Sequence, residues 1–187
     1  MKIGLISDTH IPSMGKEPPP QVARIFEGVD LILHAGDIYT DDCIRWLERI
    51  APVHATTSIR ASGGEGAPRV STPITVEAGG HTIGLIHQLI MYPLADDVRP
   101  GTIARRYPAD AKPIPQELSE IFGKPTNIVV FGYTHRAMIE SHQGVLFINP
   151  GSPTMVGDVM KIGTVAILEL TPQGPDPRII ELTGTGE

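Results

Sequence analysis

Apolar residues along the chain fall into short runs of strand length, each stopped by a polar or glycine-bearing segment. Ile3 to Ser7 is the first, and its consecutive apolar positions read as a buried strand. Leu31 to Leu33 repeats the pattern, Pro52 to Thr57 gives a third strand, and Asn127 to Phe131 is the most apolar run. Between the first three, the apolar spacing turns helical. Val22, Ile25 and Phe26 follow Pro18-Pro19-Pro20, and a second helix runs to Ile50 from Thr40, which is placed to cap it. Asp41 and Asp42 suit the positive end of that helix. A strand–helix–strand–helix–strand order predicts an α/β fold, and in such sheets ligands collect beyond the carboxyl ends of the strands.

The second half is mainly strands. Val70 to Glu77 and His81 to His87 read as a hairpin turning at Gly79-Gly80, and Ala137–Ser141 and Val145–Ile148 as another turning at Gln143-Gly144. Gly163–Leu170 and Arg178–Leu182 are the last two strands. Pro115 to Phe122 predicts a short helix stopped by Gly123. Ser62 to Gly66 reads as a flexible loop, and Leu89 to Lys112, interrupted by Pro93, Pro100 and Pro108, as a long loop with one helical turn at most. Glu27, Glu48, Glu117 and Glu120 are expected on solvated helix faces. With no internal repeat and no linker-like stretch, residues 1–187 are expected to form one domain.

Composition narrows the function classes. The formal net charge is −6 with no basic stripe, which argues against non-specific nucleic-acid binding. Cys43 is the single cysteine, so an intrachain disulfide is impossible and a reducing, cytoplasmic compartment is expected. The apolar run before Asp8 is too short for a signal-peptide core, and no stretch has the apolar length of a membrane span.

Four separated strand ends finish in side chains able to bind a metal: Asp8 with His10, Asp37, His87 and His135. Mixed imidazole and carboxylate ligands suit ions such as Mn, Fe or Zn. Each piece alone has a plainer reading: Asp8 or Asp37 in a turn, His87 as a core histidine. Their common place at strand ends is what favours a metal site. Other polar residues have weaker claims. His34 is expected to support the site from behind, His54 and His81 to be structural or exposed, and His142 to be solvated near a hairpin tip. Arg60, Arg69, Arg105 and Arg106 lie in loops where they can meet a phosphate or face water.

Asp8-x-His10, Gly36-Asp37, Gly-Leu-Ile-His87, Gly132-x-Thr134-His135 and Asn149-Pro150-Gly151-Ser152 occur in that order. This series resembles the calcineurin-like metallophosphoesterases, especially the small bacterial and archaeal phosphodiesterase branch, which is itself similar to the metallophosphoesterase-like retromer subunit of eukaryotes. The resemblance spans Met1 to about Leu170. It implies a four-layer αββα sandwich of two mixed sheets flanked by helices. It also implies two divalent ions, with Asp8, His10 and His135 on the first, Asp37 bridging, and His87 on the second. In the family a hydroxide between the ions attacks phosphorus.

Two departures stand out. The family's Gly-Asn-His/Cys-Asp/Glu motif should follow the third strand, yet Thr56 to Glu65 contains no Asn; Ile59 or Gly64 occupies its place, depending on the alignment. Tyr133 stands where the family usually has a second-site histidine. Neutral Tyr is a poor ligand near pH 7, so Tyr133 is expected to fill the space and donate a hydrogen bond, with metal ligation as the alternative. The resemblance then implies one firm ion, manganese ahead of Fe, Zn or Ni, and a second that is weak or absent. A family histidine that protonates leaving groups also has no counterpart, so no general acid is assigned.

The function expected is metal-dependent hydrolysis of a phosphate-ester small molecule, a phosphodiester ahead of a monoester. The alternative is a non-catalytic, metal-binding interaction module of the same fold. In that reading Ile90, Met91, Tyr92 and Leu94 supply a contact surface, and homo-oligomerisation is left open.

Overall fold

The structure is a computed structural model that describes residues 1–56, 58–59, 70–94 and 97–183. Two five-stranded mixed sheets face each other. In the first, β1 (Lys2–Ile6), β2 (Leu31–His34) and β3 (Val53–Ala55) run parallel, β13 (Thr164–Thr171) adds antiparallel to the free side of β1, and β14 (Gly174–Glu181) pairs antiparallel with β13 at the edge. In the second, the hairpin β6 (Ile74–Ala78) and β7 (His81–Leu85) is followed by parallel β8 (Ile128–Val130) and β10 (Val145–Asn149), with β9 (Met138–His142) antiparallel at the edge. Two short hairpins, β4 (Ser58–Ile59) with β5 (Val70–Ser71) and β11 (Met155–Val156) with β12 (Val159–Met160), stand outside the sheets.

Strand alternation builds the layers. Ile3, Leu5, Leu31, Leu33, Ala166 and Leu168 meet Ile83, Leu85, Ile128, Val130, Leu146 and Ile148 between the sheets. The intervening residues face outward. Ile32, Val165 and Ile167 pack beneath α1 (Pro20–Ile25) and α2 (Asp41–Glu48), against Val22, Phe26, Cys43 and Leu47. Val129, Val145 and Phe147 pack beneath α3 (Thr102–Arg106) and α4 (Ile114–Phe122), against Ile103, Ile114 and Leu118. Three apolar layers thus cement four layers of backbone, the αββα sandwich expected. Because both faces of β1, β2, β8 and β10 are covered, they read as unbroken apolar runs rather than alternating ones.

Several expectations change. Thr40 stands at the N-cap of α2, but its side chain makes no capping bond and donates to the Ile11 carbonyl at 3.4 Å. Glu117 is buried, accepting from the Tyr92 amide at 3.0 Å with Lys112 Nζ at 3.4 Å, so it is no solvated helix-face residue. Leu89, Met91 and Leu94 pack into the outer core under α4, while Ile90 and Tyr92 are exposed. The contact surface expected from Ile90, Met91, Tyr92 and Leu94 therefore loses Met91 and Leu94. The loop expected at Ser62–Gly66 lies outside the described residues. No helix among the described residues is long and apolar enough to cross a membrane.

Candidate metal centre

The carboxyl ends of β1, β2, β7 and β8 lie side by side, and the loops that leave them continue to pair beyond the strands. Asp8 N donates to Gly36 O at 2.9 Å, His10 N to Asp37 O at 3.0 Å, and Gly132 N to His87 O at 2.9 Å. The side chains of Asp8, His10, Asp37, His87 and His135 converge there, all five of the residues the sequence nominated. Their ligand atoms form two groups, Asp8–His10–His135 and Asp8–Asp37–His87, with the atoms in each group within 4.8 Å of one another. Asp8 is the shared member. Asp37 also approaches His10, at 3.8 Å from Nε2, so the two groups form one continuous cluster.

Backbone conformation carries the same signature. Apart from Gln143 in its hairpin turn, the described non-glycine residues with positive φ are Asp8, His10, Asp37, Tyr39, Tyr133 and His135, at 52° to 71°. Left-handed backbone costs a residue with a Cβ roughly 1–2 kcal/mol. Such strain persists where the surroundings over-determine it, and it gathers at functional sites.

The donor set fits a divalent cation. His87 Nδ1 lies 2.8 Å from Ala35 O, and His135 Nδ1 lies 2.8 Å from Gly157 O. A carbonyl can only accept, so each Nδ1 carries a proton and each ring turns its Nε2 to the cluster, the atom that can give a lone pair to a cation. His10 Nδ1 is held at 2.9 Å by the Tyr39 hydroxyl, and its Nε2 faces His135 Nε2 at 3.1 Å. Burial opposes ionisation of Asp8. The hydrogen bond to His135, the charge of His87 and the bond from Ser7 Oγ outweigh it, and the carboxyl lies below its usual range. His135 is raised above its ordinary value, chiefly by its bond to Asp8 and against its own desolvation.

A Calcineurin-like phosphoesterase superfamily domain model matches residues 1–173. The chain belongs to that superfamily. A probable metallophosphoesterase of Methanothermobacter thermautotrophicus is 33% identical over 156 residues, covering 83% of this chain and 78% of the relative. An archaeal phosphodiesterase shares the fold at a TM-score of 0.62 and 23% identity, over 97% of this chain and 100% of that one. Vps29 from Entamoeba histolytica, complexed with zinc, does so at 0.60 and 17% identity, over 98% and 100%.

Superfamily membership sharpens the two departures. Tyr133 lies beside His87, with ring centroids 5.5 Å apart in an edge-on arrangement, and is 40% exposed. Its ring stands against His87, and its hydroxyl makes no hydrogen bond among the described residues. Its contribution to the cluster is the backbone amide, which donates to both oxygens of Asp8 at 3.2 and 3.1 Å. Of the stretch expected to carry the missing Asn, Gly64 lies outside the described residues, and at Ile59 the backbone alone is described.

Supporting residues come from places the sequence reading treated lightly or passed over. The Asn149–Ser152 turn braces the site as expected: Asn149 Nδ2 donates to Gly132 O at 2.9 Å and Ser152 Oγ to Asp8 O at 2.7 Å. Ser7, Tyr39 and Gly157 were not singled out. Gly36 is needed for space, since a Cβ there would stand 2.7 Å from the His87 ring at a φ of +100°.

His34 sits behind the site, fully buried. Gly36 N donates to its Nδ1 at 3.1 Å, so Nε2 carries the proton and donates to Thr9 Oγ1 at 3.1 Å. Desolvation brings its pKa from the ordinary 6.5 down to about 3, so it stays neutral in the folded chain. The unfolded chain takes up a proton below pH 6.5 that the folded chain refuses. This contribution is therefore fully present above 6.5 and shrinks by about 1.4 kcal/mol per pH unit as the pH falls towards 3. His34→Asn, with an oxygen in place of Nδ1, will be less stable than the native protein at pH 7.5. That gap will narrow by about this slope on acidification, measured by urea unfolding of metal-stripped protein. A gap independent of pH would mean that His34 is not held neutral.

Proposed function

We propose that the chain is a metal-dependent phosphodiesterase working with manganese, with one firmly held ion and a second, weaker one. The observation that carries this reading is the convergence of two carboxylates and three imidazoles at the strand ends, with His87 and His135 oriented by backbone carbonyls so that Nε2 faces inward. Asp8, His10 and His135 would hold the firm ion, Asp37 would approach it from the side of His10, and His87 with Asp37 would be what remains for the second. That a Vps29 of this fold is complexed with zinc and that an archaeal protein of this fold is a phosphodiesterase supports the broader reading of a metal-dependent esterase. When bound, such an ion supplies the Lewis acidity that polarises phosphoryl oxygens and the means to make water nucleophilic near neutral pH. The protein's part is to orient. Tyr39 and the carbonyls of Ala35 and Gly157 fix the three rings, while Ser7 Oγ and the Tyr133 amide fix Asp8.

The test is hydrolysis of an aryl phosphodiester, whose leaving group needs no protonation, by metal-stripped protein titrated with Mn. Saturable Mn-dependent turnover, lost in Asp37→Asn, is the expected result. No turnover alongside tight binding of one ion would make the chain a metal-binding interaction module. Two stoichiometric ions surviving extensive dialysis would overturn the weak second site.

A further inference from the structure

Beside the metal centre the surface carries two hollows that share one residue. The first, about 340 Å³, is lined by His135, Arg136, Gly157 and Asp158 among others, and so begins at a residue of the cluster. The second, about 410 Å³, is lined by Arg99, Pro100, Thr102, Arg105, Arg106 and Arg136. Arg136 belongs to both and directly follows His135 in the chain. One of its guanidinium nitrogens lies 3.6 Å from where a Cβ on Gly157 would stand, and the Gly157 carbonyl holds His135. In a chain of formal net charge −6, four guanidinium groups around one cleft of ligand size concentrate positive potential at a single place.

At Arg99, Arg105 and Arg136 the carboxylates of the described residues leave charge available. Arg99 reaches Asp97 only at 3.9 Å, and Gln88 also donates to that carboxylate, at 2.7 Å. Glu140 is taken up by the Gly101 amide at 2.5 Å and by His142 at 2.8 Å. Arg105 donates to the Pro100 carbonyl at 3.1 Å. Arg136 makes no hydrogen bond or ion pair among the described residues. Asp158 lines the neighbouring hollow and is the carboxylate an anion would pass. Guanidinium groups match phosphate oxygens in planar, paired hydrogen bonds, which makes phosphate the ligand chemistry this cleft suits.

We propose that this arginine cleft is a second phosphate site, which holds a further phosphate of the substrate while the ester to be cleaved lies at the metal centre. The inference rests on the phosphodiesterase reading and narrows it to phosphodiesters that carry an additional terminal phosphate. Arg136 is the link, because it alone of the four arginines lines both hollows.

The experiment compares two aryl nucleoside phosphodiesters that differ only in an added terminal phosphate, using Mn-loaded native protein and the Arg99→Gln/Arg136→Gln variant. In parallel, inorganic tripolyphosphate is titrated into the metal-stripped protein, its fold checked by circular dichroism. Arg24→Gln/Arg45→Gln, on the far helices α1 and α2, removes the same charge elsewhere. In native protein the added phosphate will raise kcat/KM by about 10-fold to 100-fold, the worth of one charged hydrogen-bonded contact. The cleft variant will lose that ratio and bind tripolyphosphate at least about tenfold more weakly, while the control keeps both. Turnover with a native ratio near one, or a ratio unchanged in the cleft variant, overturns the proposal even if tripolyphosphate binds. If neither ester is hydrolysed, the esterase reading falls. The phosphate site then stands if tripolyphosphate binding depends on Arg99 and Arg136, and falls if it does not.

Discussion

Asp8→Asn will abolish most of the metal affinity and, with it, the manganese-dependent turnover, by more than the roughly 10–100-fold that loss of an outer partner costs. The side chain is fully buried and is the one member common to both ligand groups. Its oxygens accept from Ser7 Oγ at 2.5 Å and from the Tyr133 amide, and one stands 3.5 Å from His135 Nε2. An asparagine keeps the volume and one acceptor oxygen, but it removes the charge a cation needs and places an amide donor among donors. Thermal stability gives a readout independent of catalysis. Manganese at about a hundred times Kd stabilises the native protein by about 2.7 kcal/mol, and a hundredfold loss of affinity cuts this to about 0.4 kcal/mol at the same concentration. The manganese-induced rise in Tm will therefore nearly vanish, while the metal-stripped variant still unfolds cooperatively. An undiminished rise would remove Asp8 from the centre.

The five cluster residues were legible because each terminates an apolar run, and a strand buried on both faces advertises itself by composition. Ile3–Ile6, Leu31–Leu33 and Ile128–Val130 needed no periodicity to be found. The layers followed from the same runs, since their alternate residues face different cores. What stayed hidden is instructive. β14 starts at Gly174, ahead of the expected Arg178, and takes in Pro175 and Pro177; it is an edge strand, where a missing amide can be tolerated. The β11–β12 hairpin is two residues on each side, and Val156, Val159 and Met160 are exposed, so no burial pattern marks it. Gly157-Asp158 between valines was nonetheless a hairpin signal, and following it would have located the carbonyl that orients His135. Glu117 failed for another reason. Helical spacing predicts which face is polar, but not that a distant loop lays the Tyr92 amide across that face. Tyr39, two residues after Asp37, has no signal beyond its neighbourhood.

Gly132→Ala will damage stability and metal binding together, although it adds one methyl group in a loop. The backbone at Gly132 is pinned from both sides: its amide donates to His87 O and its carbonyl accepts from Asn149 Nδ2, each at 2.9 Å. A Cβ would overlap Ser7 Oγ and stand 2.6 Å from Asp8 Oδ2, and both of those residues are fully buried. Relief requires either that Ser7 turn away, breaking its bond to Asp8, or that the loop after β8 retreat, taking the Tyr133 amide and His135 with it. Overpacking of this kind costs roughly 1–3 kcal/mol before any lost hydrogen bond is counted. Unfolding by urea should show a loss of at least that size, and calorimetric titration with manganese a clear loss of affinity. Ser7→Ala in the same chain separates steric cause from general fragility. It removes the overlapping oxygen but leaves the Asp8 contact, so the double variant should recover part of the stability and little of the affinity. Strictly additive losses would show that the methyl acts through something other than this contact. Full recovery of metal binding would show that the Asp8 oxygen can yield the space, and with it that the carboxylate is less firmly placed than its three bonds suggest.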